Sequence, residues 1–269
     1  MSLSKDQIAR YSRQLILPEL GAAGQQRLLA SSVLVVGAGG LGCPSALYLA
    51  AAGVGRIGLI DADAVAVSNL HRQILHRTDD IGRAKVHSAQ AALEALNPDV
   101  TVTAIHGRLT AENALALLGS YDVVLDGSDN FPTRYLVNDA CVLSRTPLVH
   151  GGVVRLEGQV MTILPGRSAC YRCVFPEPPG TGDVPNCQEA GVLGAAAGIV
   201  GSLMAHEALK VLAGIGEPLT NRLAVFDGRT SRFREVPVRR DPACAVCGEH
   251  PTIHELRMEA DACGLPSGR

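Results

Sequence analysis

Short β-branched apolar runs recur along the chain, separated by stretches of helical length, and this alternation predicts repeated strand–helix units. Ser4 and Gln7 have capping-box spacing, so a first helix is expected to run to Leu17, where Pro18 stops it. A second short helix is expected over 22–30. The unbroken run 33–36 suits a strand buried on both faces. A glycine cluster and the helical stretch LGCPSALYLAAAG follow, with Pro44 in a first turn where its missing N–H costs little. Strands are predicted over 57–60, ending at Asp61, and over 100–105, 122–125 and 147–150. Helices are predicted over 83–96, 111–118 and 132–144.

Past residue 150 the period becomes two. VVRLEGQVMTILPG and residues 222–238 alternate like antiparallel hairpins. The fold class expected is therefore α/β, a Rossmann-like, doubly wound, mostly parallel sheet continued by antiparallel strands. One domain is expected over 1–248. Its nucleotide-binding half spans about 31–150 and its antiparallel, cysteine-bearing half about 151–248, with a tail at 249–269. The apolar run 190–205 falls short of the roughly 20 residues of a bilayer span and is read as a buried helix. Gly194, Gly198 and Gly201 are expected to admit a close backbone neighbour there.

Composition narrows the function. Of 269 residues 47% are hydrophobic and 19% charged, with a net charge of -2, which excludes a disordered polymer. No excess of Lys and Arg exists to neutralise phosphates, aromatics are 3% and Trp is absent, so a nucleic-acid binder is not expected. Charges interrupt the N-terminus before an apolar signal region forms, so neither secretion nor membrane insertion is expected and the location read is cytoplasmic. Eight cysteines in such a setting read as metal ligands, nucleophiles or core residues rather than disulfides.

Three motifs carry chemistry. Gly37, Gly39 and Gly42 have G-x-G-x-x-G spacing between a strand and a helix, a cradle for phosphate, and Asp61 ends the next strand, where a carboxylate can accept ribose hydroxyls. The glycines alone do not separate NAD from ATP. The segment DADAVAVSNLHRQILH adds Asp63, Asn69, Arg72 and Gln73, and Lys85 follows. Arg72 and Lys85 fit a triphosphate with a pyrophosphate leaving group better than a dinucleotide. LDGSDN places Asp126, Asp129 and Asn130 at a strand end, where a carboxylate can hold Mg2+ on phosphate oxygens or cap a helix. Cys170, Cys173, Cys244 and Cys247 form two C-x-x-C knuckles, the ligand set of a closed structural Zn2+ site that staples the C-terminal segment to the body.

These pieces, with RYSRQLILPE, AAGVGRIGLIDAD, IGRAKV, GGVVRLEGQV and NCQEAGVLG, run in order from about residue 5 to 247, and the sequence so resembles the ThiF/MoeB/HesA family of ubiquitin-activating-enzyme-like adenylyltransferases. The resemblance implies ATP-dependent adenylation of the C-terminal Gly-Gly carboxylate of a small β-grasp sulfur-carrier protein. It implies ATP contacts from Gly40, Asp61, Ser68, Asn69, Leu70, His71, Arg72, Lys85, Asp129 and Asn130, with Asp129 near Mg2+. Arg13 matches an arginine that reaches the neighbouring subunit's nucleotide, implying a homodimer, and Cys187 a cysteine that some members link covalently to the carrier. Related fused proteins continue into a sulfurtransferase domain, so a separate sulfurtransferase or cysteine desulfurase is the expected sulfur donor. Two rival readings are an NAD-dependent oxidoreductase, for which no hydride-transfer motif is found, and a non-catalytic scaffold that holds a β-grasp protein.

Overall fold

The computed structural model describes residues 3–179 and 190–258. One eight-stranded sheet runs through them in the order β3-β2-β1-β4-β5-β6-β7-β8. Its parallel half comprises β1 (Ser32–Val36), β2 (Arg56–Asp61), β3 (Thr101–His106), β4 (Val123–Asp126) and the start of β5 (Leu148–Val154). The antiparallel half adds β6 (Glu157–Ile163), β7 (Arg222–Asp227) and β8 (Arg232–Pro237). Every residue of β1 and β4 is buried, as their unbroken apolar sequence requires of strands covered on both faces. The expected fold class is the observed one; β5 runs four residues beyond the predicted end at 150 to form the hairpin with β6.

Helices cover the faces: α3 (Gly21–Ala30), α4 (Gly42–Ala52), α5 (Lys85–Leu96), α6 (Ala111–Leu118), α7 (Phe131–Ser144), the single turn α8 (Tyr171–Val174) and α9 (Gly194–Ala213). One apolar cluster lies between the sheet and α4, α5 and α9, and another between the sheet, α6, α7 and the cysteine knuckles.

Two predicted elements differ. The first helix breaks into α1 (Lys5–Arg10) and α2 (Ser12–Leu15). The Ser4–Gln7 capping box is present, but Tyr11 leaves helical geometry as its ring is buried against Gly53 and its hydroxyl bonds with Asn97 and Asp99. The apolar helix does not stop at 205. It continues through His206 and Glu207 to a length of 20 residues, long and apolar enough to cross a membrane by that test alone. It packs instead on α4, β5 and β6 as a core helix. Glu207 is tolerated inside because its carboxylate accepts from Thr162 Oγ1 at 2.7 Å and Leu219 N–H and pairs with Lys210. Of the tail, residues 249–258 hold no helix or strand, yet Ile253 and Leu256 pack on the second cluster.

Candidate functional site

The order of strands reverses at β1, whose neighbours are β2 and β4, and in open α/β sheets a ligand crevice opens outside the carboxyl ends at such a point. The glycine turn lies there. Gly37 has φ 90°, a left-handed conformation that favours glycine. A Cβ on Gly42 would lie 1.8 Å from the Gly37 carbonyl oxygen, so α4 can start this close to β1 only without a side chain. A Cβ on Gly39 would meet only Gln73 Nε2, at 3.8 Å, leaving backbone open to a ligand at the N-terminus of α4. The turn is braced from beneath: Ala38 N–H donates to Asp61 Oδ2 at 2.8 Å, and His76 Nε2 lies 3.1 Å from Ala38 O.

A cavity of about 240 Å³ opens on this turn. Of the expected residues, Gly40, Asp61, Arg72, Lys85, Asp129 and Asn130 line it. Ser68, Asn69, Leu70 and His71 do not. They belong to a 3-10 turn (Val67–Asn69) and its exit, where Asn69 O accepts from the N–H groups of Arg72 and Gln73 and so aims that pair inward. His71 touches Arg72 rather than the cavity: Arg72 Nη1 donates to Ser68 O at 2.9 Å and lies 2.8 Å from His71 Nε2. Lys85 is buried, and its ammonium pairs with Asp63 Oδ2 at 2.8 Å. Asn130 caps α7, accepting from Thr133 N–H at 2.9 Å, so the capping reading of LDGSDN holds for Asn130. Arg13 stands on α2, outside this lining, and Cys187 lies outside the described residues.

The sequence reading passed over Arg108, Ser128 and Arg134, which also line the cavity, and gave Asp63 and Gln73 no role. Gln73 is buried and its Oε1 has no hydrogen-bond partner. Arg134 had a signal in principle, standing four residues after the cap on the same helix face. Asp126 turns inward. It is fully buried, accepting from Ser128 N–H and Oγ–H and from His150 Nδ1–H at 3.0, 2.6 and 2.9 Å. Burial pushes its carboxyl up, but the hydrogen bond and charge of His150, with Arg134 and Ser128, hold it below the usual range. Burial likewise pushes the His150 imidazole down. Burial pushes the Cys43 thiol up to about 12, so a thiol this close to the turn stays protonated and inert.

A second, more apolar cavity adjoins the first, lined by Phe131, Tyr135, Val153, Val174 and Phe175 among others. It shares Asp129, Arg134 and Val153 with the first.

The four knuckle cysteines converge, their sulfurs all within 4.8 Å of one another. The Sγ separations are 3.9 Å for Cys170–Cys173, 3.6 Å for Cys170–Cys244 and 3.4 Å for Cys173–Cys247. Zinc–sulfur bonds of about 2.3 Å imply tetrahedral edges of about 3.8 Å, so the thiols fit one such ion. Asp241 N–H donates to Cys173 Sγ at 3.4 Å, and a hydrogen bond with Cys170 holds the Cys173 thiol down to about 6.

The profile of the ThiF family matches residues 11–246. A sulfur carrier protein adenylyltransferase of Thermus thermophilus is 54% identical over 270 residues, covering 98% of this chain and 100% of that protein. Adenylyltransferase and sulfurtransferase MOCS3 of Anopheles gambiae is 52% identical over 264 residues, and the alignment covers 98% of this chain but 60% of that longer relative. Among solved structures, E. coli MccB with ATP superposes with a TM-score of 0.75 at 25% identity, over 89% of this chain and 73% of that one. The profile match runs from the first helices to the second cysteine knuckle and bears out the resemblance read from the motifs: the chain belongs to the ThiF family.

Proposed function

We propose that this chain uses ATP to adenylate the C-terminal Gly-Gly carboxylate of a small ubiquitin-like (β-grasp) sulfur-carrier protein, releasing pyrophosphate. The observation that carries this is the presence of Arg72 and Lys85 beside an open glycine backbone in a cavity that adjoins an apolar one. The near-full-length relative named as a sulfur carrier protein adenylyltransferase supports the same reading.

A terminal carboxyl titrates near pH 3.5, so the nucleophile is already an anion at neutral pH and no general base is needed. One carboxylate oxygen bonds to the α-phosphorus while the bond from that phosphorus to the β-bridging oxygen breaks. Pyrophosphate leaves with the electron pair, and no proton need move. The obstacle is repulsion between the carboxylate and the triphosphate. Backbone N–H groups of the glycine turn hold phosphate oxygens, Asp61 orients the ribose, and Arg72 and Lys85 stabilise the charge growing on pyrophosphate. Lys85 turns from Asp63 to phosphate when nucleotide enters. Asp129 has the hard oxygen ligands that suit Mg2+, which when bound neutralises phosphate charge. The four thiolates of Cys170, Cys173, Cys244 and Cys247 hold Zn2+ in a closed, structural role.

The active unit proposed is a homodimer. Ile16 and Leu17 beside α2, with Leu193 just before α9 and Ile199 on it, are exposed apolar side chains that a second copy would cover, and Arg13 stands among the first of these. The adenylated carrier then passes to a separate sulfurtransferase or cysteine desulfurase for thiocarboxylate formation. Free buried thiols and the need for ATP suit the cytoplasm. The test is ATP–pyrophosphate exchange with a β-grasp protein ending in Gly-Gly. Exchange should require the carrier, stop when its two glycines are removed, and return in part when inactive Arg13→Ala and Arg72→Ala chains are mixed. Exchange that persists without the glycines would overturn the function, and absence of complementation would overturn the shared site.

A further inference from the structure

The two cavities meet at a wall formed by Asp129, Arg134 and Val153. Arg72, Lys85 and Arg108 line the nucleotide side only. Among the described residues lining the apolar side, Arg134 is the one cation, and Glu157 and Glu177 stand with Asp129 as acids. A peptide terminus passing along the apolar side toward the phosphates would meet three carboxylates and this single guanidinium.

The guanidinium is held but not consumed. Its Nη2 donates to Ser128 O at 3.3 Å, its Cζ lies 5.1 Å from the centre of the Phe131 ring, and it hydrogen-bonds with Tyr171. Its Nε is buried and has no partner. A guanidinium offers five N–H donors, more than Ser128 and Tyr171 use, which leaves donors for a carboxylate in the cavities it lines. Asp126 takes its hydrogen bonds from Ser128 twice and from His150, and Arg134 acts on it through charge alone, so its donors are not used there.

We propose that Arg134 recognises the carrier's terminal carboxylate, drawing the anion past Asp129 to the α-phosphate. The inference rests on the function proposed above and assigns it a residue that distinguishes a charged terminus from a neutral one. Arg134 thus acts on the peptide substrate, whereas Arg72 and Lys85 act on the nucleotide.

The test compares binding of two forms of one Gly-Gly-ending β-grasp protein, the free acid and its C-terminal amide, by calorimetry without nucleotide. The wild-type chain should prefer the acid by about tenfold or more, the usual worth of a charge-assisted hydrogen bond. Arg134→Gln should bind both forms alike in the same assay. Should Arg134→Gln fail to fold, Arg134→Lys, which keeps the charge and loses the fork, should lower the preference to about threefold. A preference retained in full by either variant, or absent from the wild type, overturns the inference. Carrier-dependent exchange measured alongside separates the two claims: exchange with an unchanged acid preference removes Arg134 alone, and no exchange with the carrier removes the proposed function.

Discussion

Ala38 shows how one residue ties the glycine turn to the rest of the protein. Its N–H is bound by Asp61 and its carbonyl faces His76, whose other nitrogen lies 2.9 Å from Ser88 Oγ. Ala38 O can only accept, so Nε2 of the imidazole carries the proton there and Nδ1 faces Ser88 Oγ. Burial pushes its pKa down, and the charge of Lys85 adds to that. The unfolded chain then binds a proton that the native chain refuses, so stability is full above the ordinary histidine value of about 6.5 and is lost as pH falls below it. His150 adds the same sign. His76→Gln keeps a donor for Ala38 without titrating. It should cost about 1 kcal/mol at pH 7 and show a shallower loss of stability between pH 7 and 5 in denaturant titrations. A slope equal to the wild type's would remove His76 from this role.

At the scale of the element, α9 shows which part of a glycine pattern is structural. Two of its three glycines meet backbone as expected. A Cβ on Gly194 would lie 2.2 Å from His71 O, and one on Gly201 2.5 Å from Leu41 O. The first contact seats the turn that carries Arg72, and the second seats the start of α4. Gly198 does not fit the expectation, because a Cβ there would meet nothing within 4 Å. Gly201→Ala should therefore destabilise the fold by about 1–3 kcal/mol through overpacking, while Gly198→Ala should stabilise it by about 0.5–1 kcal/mol through helix propensity. Thermal melts of the two variants check this. A loss at Gly198 would contradict it and point to a neighbour packed on that face. Spacing along a helix reveals which glycines share a stripe, but the distance to the facing backbone decides which of them are obligatory.

Across the whole molecule, the cysteine knuckles bring the segment after β8 beside the α8 turn, which packs on the middle of α7. Arg172, between the first two cysteines, pairs with Asp139 at 2.8 Å, Tyr171 N–H donates to Asn138, and the Tyr171 ring packs 4.6 Å from His150. The cysteine cluster is thus linked, through Tyr171, His150 and Asp126, with the loop that carries Asp129. One bound Zn2+ per chain is expected by elemental analysis. Its removal by a chelator should lower the melting temperature by about 4–8 °C, as a loss of about 2 kcal/mol does in a domain of this size. It should also open residues 239–258 to protease. A metal-free chain that melts unchanged would exclude the staple.

Local rules carried much of this into the amino-acid order itself. Strands covered on both faces read as unbroken apolar runs, a capping box needs one short spacing, and Gly37 and Gly42 answer a turn whose geometry is set within a few residues. The cysteine set was legible because four soft ligands in two knuckles have few other uses. What required the fold was every relation between distant segments. Sequence alone could not say that Arg134 would stand between two cavities, that Asp63 would hold Lys85, or that Ser68, Asn69, Leu70 and His71 would shape the turn without lining it. Those placements follow from strand order and helix packing, and they arise from side chains meeting across the sheet rather than along the chain.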